Sequence, residues 1–229
     1  MTFEERMQAV AKQGFTERQA RFLTTVMLHA GVCVPRQYAR FCGIVHGEKT
    51  RKFFRKLVRL GYASMYDCRH NRARICHLNQ RALYAAIGEA DSRLRKPVTL
   101  NHAIQRLMVV DAIVEDPELV WLGTAEEKAA DLLALTRIEA ANLPHVTVGE
   151  RDARTVRYFP DRLPIGIRPV GRGVVVYVVT EPWLDEFRVF LERNAALLRA
   201  YPYGHCGSSC HRSTWTSLSA RNRSSGTSC

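Results

Sequence analysis

The 229-residue sequence lacks several features that would assign it to a common class of protein. It has no apolar run near the roughly 18 residues of a membrane span. Its first ten residues, MTFEERMQAV, contain no apolar signal core. Its seven cysteines are odd in number and follow no framework spacing, which favours a reducing compartment. We therefore expect a cytoplasmic protein with no membrane contact.

Motifs for common cofactor and catalytic chemistries are also missing. The sequence contains no glycine-rich phosphate loop of either common pattern, and its spacings reveal no Ser-His-Asp or Cys-His arrangement. Cys68, His70, Cys76 and His77 match no common zinc spacing. We therefore predict no metal and no other cofactor.

Positive charge is present in excess, and it is concentrated at one end of the chain. The net charge is +12, and residues 1–96 hold 19 lysines and arginines against 7 acidic residues. Residues 97–200 hold 12 against 15, and residues 201–229 hold 3 against none. This asymmetry indicates an N-terminal domain that binds a polyanion, joined to a nearly neutral partner domain.

The stretch EKTRKFFRKLVRLGY, residues 48–62, carries the most concentrated part of this charge. We call residues 48–60 the cationic helix, because at about 100° per residue they separate into two faces. The face expected to be buried holds Phe53, Phe54, Leu57, Val58 and Leu60. The opposite face holds Lys49, Arg51, Lys52, Arg55, Lys56 and Arg59. The alternative is an ordinary solvated surface, which the separation of faces makes less favourable.

The elements around the cationic helix follow a recognisable order. Patterns predict helices at 3–11 and 17–30, a short extended stretch at 32–34, a helix at 35–42, the cationic helix, strands at 62–66 and 75–78, and a short helix at 82–88. The segment 16–78 resembles winged helix-turn-helix DNA-binding domains in this order, in the LVRLGY ending of the third helix and in the hairpin that follows.

In such domains the third helix enters the major groove, and the hairpin contacts the backbone or the minor groove. The resemblance implies base-edge positions at His46, Lys49, Arg51 and Lys52. It implies phosphate positions further along, at Arg55, Lys56 and Arg59. The hairpin would add phosphate or minor-groove contacts through Arg69, Arg72 and Arg74.

The second half reads as a small α/β domain. Patterns predict helices at 102–114 and 124–143, a strand in ELVWLG, two strands between 155 and 179 with a turn at 171–173, and a closing helix at 183–201. Pro160-Asp161 followed by a strand before Glu181 resembles the PD-(D/E)xK nucleases, whose acids hold Mg²⁺. Trp183 occupies the position of the lysine in that motif, so an inactive domain is expected.

The overall class is α+β, with an N-terminal winged helix-turn-helix and a small α/β domain. The predicted divisions are 1–90 for DNA binding, 91–101 as a charged linker, 102–202 for the second domain and 203–229 as a disordered serine-rich tail. Residues 15–200 together are similar to replication-relaxation type proteins of bacterial plasmids and integrative elements.

The leading hypothesis is a non-enzymatic double-stranded DNA-binding protein, either a transcription regulator or a replication or mobilisation factor. Two alternatives stay open: a metal-dependent nuclease that uses Asp161 and Glu181, and a protein-interaction module. Symmetric DNA half-sites would require a homodimer, and the sequence leaves the oligomeric state open.

Overall fold

Two units make up the folded chain, Met1–Pro117 and Glu118–Cys229, and each has its own hydrophobic core. The overall class is α+β, as predicted. The computed structural model describes residues 1–67, 74–136, 138–149, 154–159, 163–168, 173–179, 184–200, 205–208 and 216–218.

The N-terminal unit contains six helices and three strands among its described residues. In chain order they are α1 (Phe3–Ala11), α2 (Glu17–His29), β1 (Val32–Cys33), α3 (Pro35–Phe41), α4 (Glu48–Arg59), β2 (Ala63–Asp67), β3 (Arg74–Leu78), α5 (Arg81–Ala86) and α6 (Leu100–Glu115), with a 3₁₀ turn at Arg93–Arg95. The elements predicted up to residue 88 all occur, with ends shifted by one or two residues.

Local sequence signals account for several of these helix ends. The side chain of Thr16 accepts a hydrogen bond from the backbone N–H of Gln19, whose own side chain accepts from Thr16 N–H. This capping box begins α2 as predicted. At the end of α4, Gly61 takes a φ of +71°, a left-handed conformation that favours glycine, and the N–H of Tyr62 returns to the carbonyl of Leu57. The chain therefore leaves α4 in a fixed direction toward β2.

The sheet of the N-terminal unit is covered on both faces. Its strand order is β1-β3-β2, all antiparallel. Cys76 and Leu78 of β3 pack into the core shared with the first helices, whereas Ile75 packs with Ala103 and Val110 of α6. Helix α6 is thus a third layer of this unit.

The predicted boundary between the domains differs from the observed one. Residues 91–101 were expected to form a linker, yet Leu94 is only 2% exposed and belongs to the main core. Burial lowers the pKa of His77, and the Nε2–H of its neutral ring donates to the carbonyl of Leu94 at 3.0 Å. The division falls instead after Pro117.

Helix α6, expected in the second domain, is held on the N-terminal unit by polar contacts to α3. The side-chain amide of Gln37 donates to the carbonyl of Leu107 at 2.8 Å and to Asp111 at 2.9 Å. Arg36 pairs with Asp111 at 2.7 Å, and Arg40 with Glu115 at 2.8 Å. These contacts fix α6 along one side of α3.

The C-terminal unit contains three helices and seven strands among its described residues. In chain order they are β4 (Val120–Leu122), α7 (Ala125–Leu135), β5 (His145–Val148), β6 (Thr155–Tyr158), β7 (Ile165–Ile167), β8 (Gly173–Tyr177), α8 (Leu184–Arg193), α9 (Ala195–Ala200), β9 (His205–Ser208) and β10 (Thr216–Leu218). The larger sheet has the order β10-β9-β8-β7-β4, and β5 and β6 form a separate two-stranded sheet. Within the described residues, no helix is both long and apolar enough to cross a membrane.

Predictions for this second unit were less complete. Strand β5 was not predicted. Two strands were expected between 155 and 179, but this region contains three, β6, β7 and β8. The helix expected at 124–143 ends at Leu135, and the closing helix is interrupted at Asn194. The tail was expected to be disordered, but β9 pairs in parallel with β8, and β10 pairs with β9. These pairings contradict the expectation for residues 205–208 and 216–218. The rest of 203–229 lies outside the described residues.

Neighbouring threonines of α2 provide a test of the core packing. Thr24 is fully buried, and its hydroxyl finds no hydrogen-bond partner among the described residues. The hydroxyl of Thr25 donates to the carbonyl of Arg21 at 2.9 Å. Because an unsatisfied buried hydroxyl costs about 1–3 kcal/mol, we expect Thr24→Val to raise the free energy of unfolding by about 1 kcal/mol. Thr25→Val should give no such gain in urea denaturation, and an equal gain in both variants would contradict this packing.

Candidate nucleic-acid interface

Helix α4 presents one buried face and one cationic face, which confirms the main geometric expectation. Thr50, Phe53, Phe54 and Leu57 are buried, at the spacing of one face of a helix. Lys52, Arg55 and Arg59 are exposed and lie on the side opposite this face, and Lys49 and Arg51 flank them. The cations therefore point away from the core of their own unit.

Aromatic packing fixes α4 to the helices beneath it. The ring of Phe53 lies 4.3 Å from that of Tyr38 in α3 and 6.5 Å from that of Phe22 in α2, measured between centroids. Phe15, before α2, meets Phe53 edge-on at 6.3 Å. Burial raises the pKa of Tyr38 to about 12, so its phenol stays protonated in this packing. The backbone of α4 is consequently held by three separate parts of the chain.

Val58 and Leu60 depart from the prediction. Both were expected on the buried face, but they are 44% and 43% exposed. The predicted apolar arc spanned about half of the helix, whereas the core covers a narrower arc centred on Thr50 and Leu57. The two side chains lie at the margins of this arc and remain in contact with solvent.

An acidic residue lies within the cationic face. Glu48, in the first turn of α4, accepts from Arg55 through Oε1 and lies 4.0 Å from Arg51 through Oε2. Its carboxylate lies at the helix N-terminus, where a negative charge interacts favourably with the helix dipole. All three side chains are more than half exposed, and ion pairs of this kind contribute little to stability. Arg51 and Arg55 can therefore exchange Glu48 for another anion at low cost.

Lys56 makes an intramolecular contact that was not predicted. Its ammonium donates to the carbonyl of Gly14 and lies 4.9 Å from the centre of the Phe15 ring. The phosphate contact predicted for Lys56 is therefore in competition with an intramolecular one, because this cation joins α4 to the turn between α1 and α2.

The other side chains of this region that were predicted to contact DNA are exposed at the surface. His46, Lys49, Lys52 and Arg59 are all exposed. The side chains of these four make no hydrogen bond or ion pair to another described residue. They therefore keep their full capacity to bind an external anion.

Strands β2 and β3 form the predicted hairpin. At its outer end Arg74 pairs with Asp67 at 3.0 Å, both being well exposed. Arg69 and Arg72, which were predicted to contact DNA, lie outside the described residues. Of the predicted hairpin contacts, only Arg74 is thus located, and its charge is partly balanced by Asp67.

Sequence reasoning missed one exposed side chain beside these cations. Val45, in the turn between α3 and α4, is 90% exposed. Its neighbour Ile44 packs against the core and donates its N–H to the carbonyl of Ala39 at 2.9 Å. The sequence contains a signal for this exposure, because Val45 lies in a turn between Gly43 and Gly47 and so belongs to no apolar helix face.

The alternative nuclease site is not located by the structure. Asp161, Glu181 and Trp183 lie outside the described residues, as do Cys68 and His70 of the rejected zinc set. Cys76 packs into the core, whereas His77, the next residue, bonds to Leu94. Among the described residues, no group of three or more His, Cys, Asp or Glu side chains could hold a metal ion.

Comparison with protein families, curated proteins and solved structures gave no match. The function is therefore inferred from the geometry of the chain itself. The strongest functional feature of the described residues is the anchored cationic face of α4.

Lys52 and Lys56 lie one turn apart on α4, and only Lys56 makes intramolecular contacts, so the two residues can be compared directly. We expect Lys56→Met to lower the free energy of unfolding by about 1 kcal/mol, because it removes the ammonium contacts to Gly14 and Phe15. Lys52→Met should leave stability unchanged within about 0.5 kcal/mol. Urea denaturation followed by circular dichroism measures both, and equal losses would show that Lys56 is not a structural contact.

Proposed function

We propose that the N-terminal unit is a winged helix-turn-helix that binds double-stranded DNA. The order α2, β1, α3, α4, β2, β3 supports this proposal, with α4 as the recognition helix and the β2–β3 hairpin as the wing. The observation that carries it is the cationic face of α4, which is fixed by aromatic packing on one side and exposed on the other.

The dimensions of α4 suit a major groove. Its 12 residues span about 18 Å, and a helix about 10–12 Å in diameter fits a groove about 12 Å wide. Lys52 and Arg59 lie two helical turns apart on the outward face, so both can contact phosphates that border the groove. Lys49 and His46 lie at the leading end, nearest to base edges.

The role in the cell that fits this proposal is that of a DNA-binding factor without a catalytic step. Such a factor could be a transcription regulator, or a replication or mobilisation factor of a plasmid or integrative element, since each of these must bind DNA. Both would act in the cytoplasm on duplex DNA. The resemblance of residues 15–200 to replication-relaxation type proteins, which is a prediction from the sequence, favours the mobile-element role.

Neutralising an outward cation tests the proposed DNA contact. Arg59→Gln should weaken binding to all duplex sequences alike and reduce the magnitude of the slope of log K against log salt by about 0.9, because one phosphate contact is lost. Arg81→Gln is a matched control, since Arg81 is an exposed arginine of the same unit outside α4. Fluorescence anisotropy with a labelled duplex at several salt concentrations gives both quantities. An affinity that does not respond to salt would disprove the proposal.

Removing the acid within the cationic face should have the opposite effect. We expect Glu48→Gln to raise duplex affinity about two- to fivefold, because Arg51 and Arg55 lose a competing anion and repulsion of phosphate is reduced. Glu4→Gln, an exposed acid on α1, should change the affinity much less. The same anisotropy assay applies. Weaker binding by Glu48→Gln would mean that Glu48 itself contacts the DNA.

A further inference from the structure

Val45 has the highest exposed fraction of the large apolar side chains in the described chain. At 90% it exceeds Val120, at 63%, and Met1, at 58%. Val45 precedes α4 by only three residues, directly before His46. It is therefore an apolar group placed at the leading end of a cationic surface.

The turn that carries Val45 is held in place from both sides. Ile44 packs against the core and bonds to Ala39, and the carbonyl of Gly47 accepts the N–H of Arg51 at 3.1 Å. Valine itself is branched at Cβ, so its χ1 angle has few accessible states. The two methyl groups of Val45 are thus presented with little conformational freedom to lose on binding.

The charge around Val45 restricts what can cover it. His46 is the next residue along the chain, and Lys49 and Lys52 are exposed in the first two turns of α4. An apolar protein surface that covered Val45 and this end of α4 would have to desolvate these groups without compensation. A duplex compensates them with phosphates. The major groove also offers one apolar group on its base edges, the 5-methyl group of thymine.

We propose that Val45 contacts a thymine 5-methyl group and makes the protein select thymine at one position of its DNA site. This inference rests on the proposed DNA-binding function and adds a specificity determinant to it. The contact buries a methyl group against the valine side chain, which is worth about a fourfold change in affinity.

The test begins with selection of preferred sequences from a random duplex library, using the full chain. Each thymine of the selected site is then replaced by deoxyuridine, which lacks only the methyl group. At one position we expect the wild-type affinity to fall about fourfold. Val45→Ala should show a smaller difference in affinity between the thymine and uracil duplexes and retain salt-dependent binding.

Val58→Ala is the matched control, because Val58 is a partly exposed valine at the far end of α4. This variant should keep the discrimination between thymine and uracil. Circular dichroism establishes that both variants fold. No selected thymine, no effect of uracil at any position, or an undiminished effect in Val45→Ala would each overturn the inference. In those cases salt-dependent binding by the wild type would leave the proposed function standing, whereas no duplex binding at all would remove both.

Discussion

The packing of Phe53 against Tyr38, Phe22 and Phe15 is the interaction on which the rest of the N-terminal unit depends. It decides which side of α4 is buried, and hence which side its cations occupy. Three large aromatic neighbours also restrict rotation of α4 about its own axis, since any rotation would leave a cavity in the core. Apolar packing of the buried side thus gives the charged surface a fixed orientation.

The cationic face is less uniform than its composition indicates. Glu48 balances part of the charge of Arg51 and Arg55, and Lys56 is engaged with Gly14 and Phe15. Lys49, Lys52 and Arg59 remain as the cations without an intramolecular partner in the described chain. A count of basic residues therefore overstates the number of charges that a partner meets directly, and it also overlooks the apolar side chain of Val45 beside them.

The first 88 residues could be predicted from sequence because their signals are local. The capping box at Thr16, the glycine after α4 and the 3.6-residue period of Phe53, Phe54 and Leu57 each determine structure within a few residues. The contact between Lys56 and Gly14 could not be predicted in this way, because it joins residues 42 positions apart. The limits of the buried arc, which exclude Val58 and Leu60, likewise depend on tertiary packing.

Beyond residue 88 the same limitation is stronger. The charged stretch around Arg93 and Lys96 has the composition of a linker, and only the burial of Leu94 reveals that it is part of the core. Strand β5 consists of four exposed residues, so no alternation of burial marks it. The acids of the nuclease-like motif lie outside the described residues, and that prediction stays a prediction.

The position of α6 over the sheet has a consequence for how the chain folds during synthesis. When residue 90 has left the ribosome, every strand of the N-terminal sheet is present, but the face with Val32 and Ile75 still lacks its cover. Because α6 supplies that cover only after Leu100 to Glu115 have emerged, the nascent chain passes through a stage with an open apolar surface. Folding of this unit is therefore completed only when the chain has been synthesised to about residue 117. A fragment that ended at residue 90 would keep this apolar surface exposed.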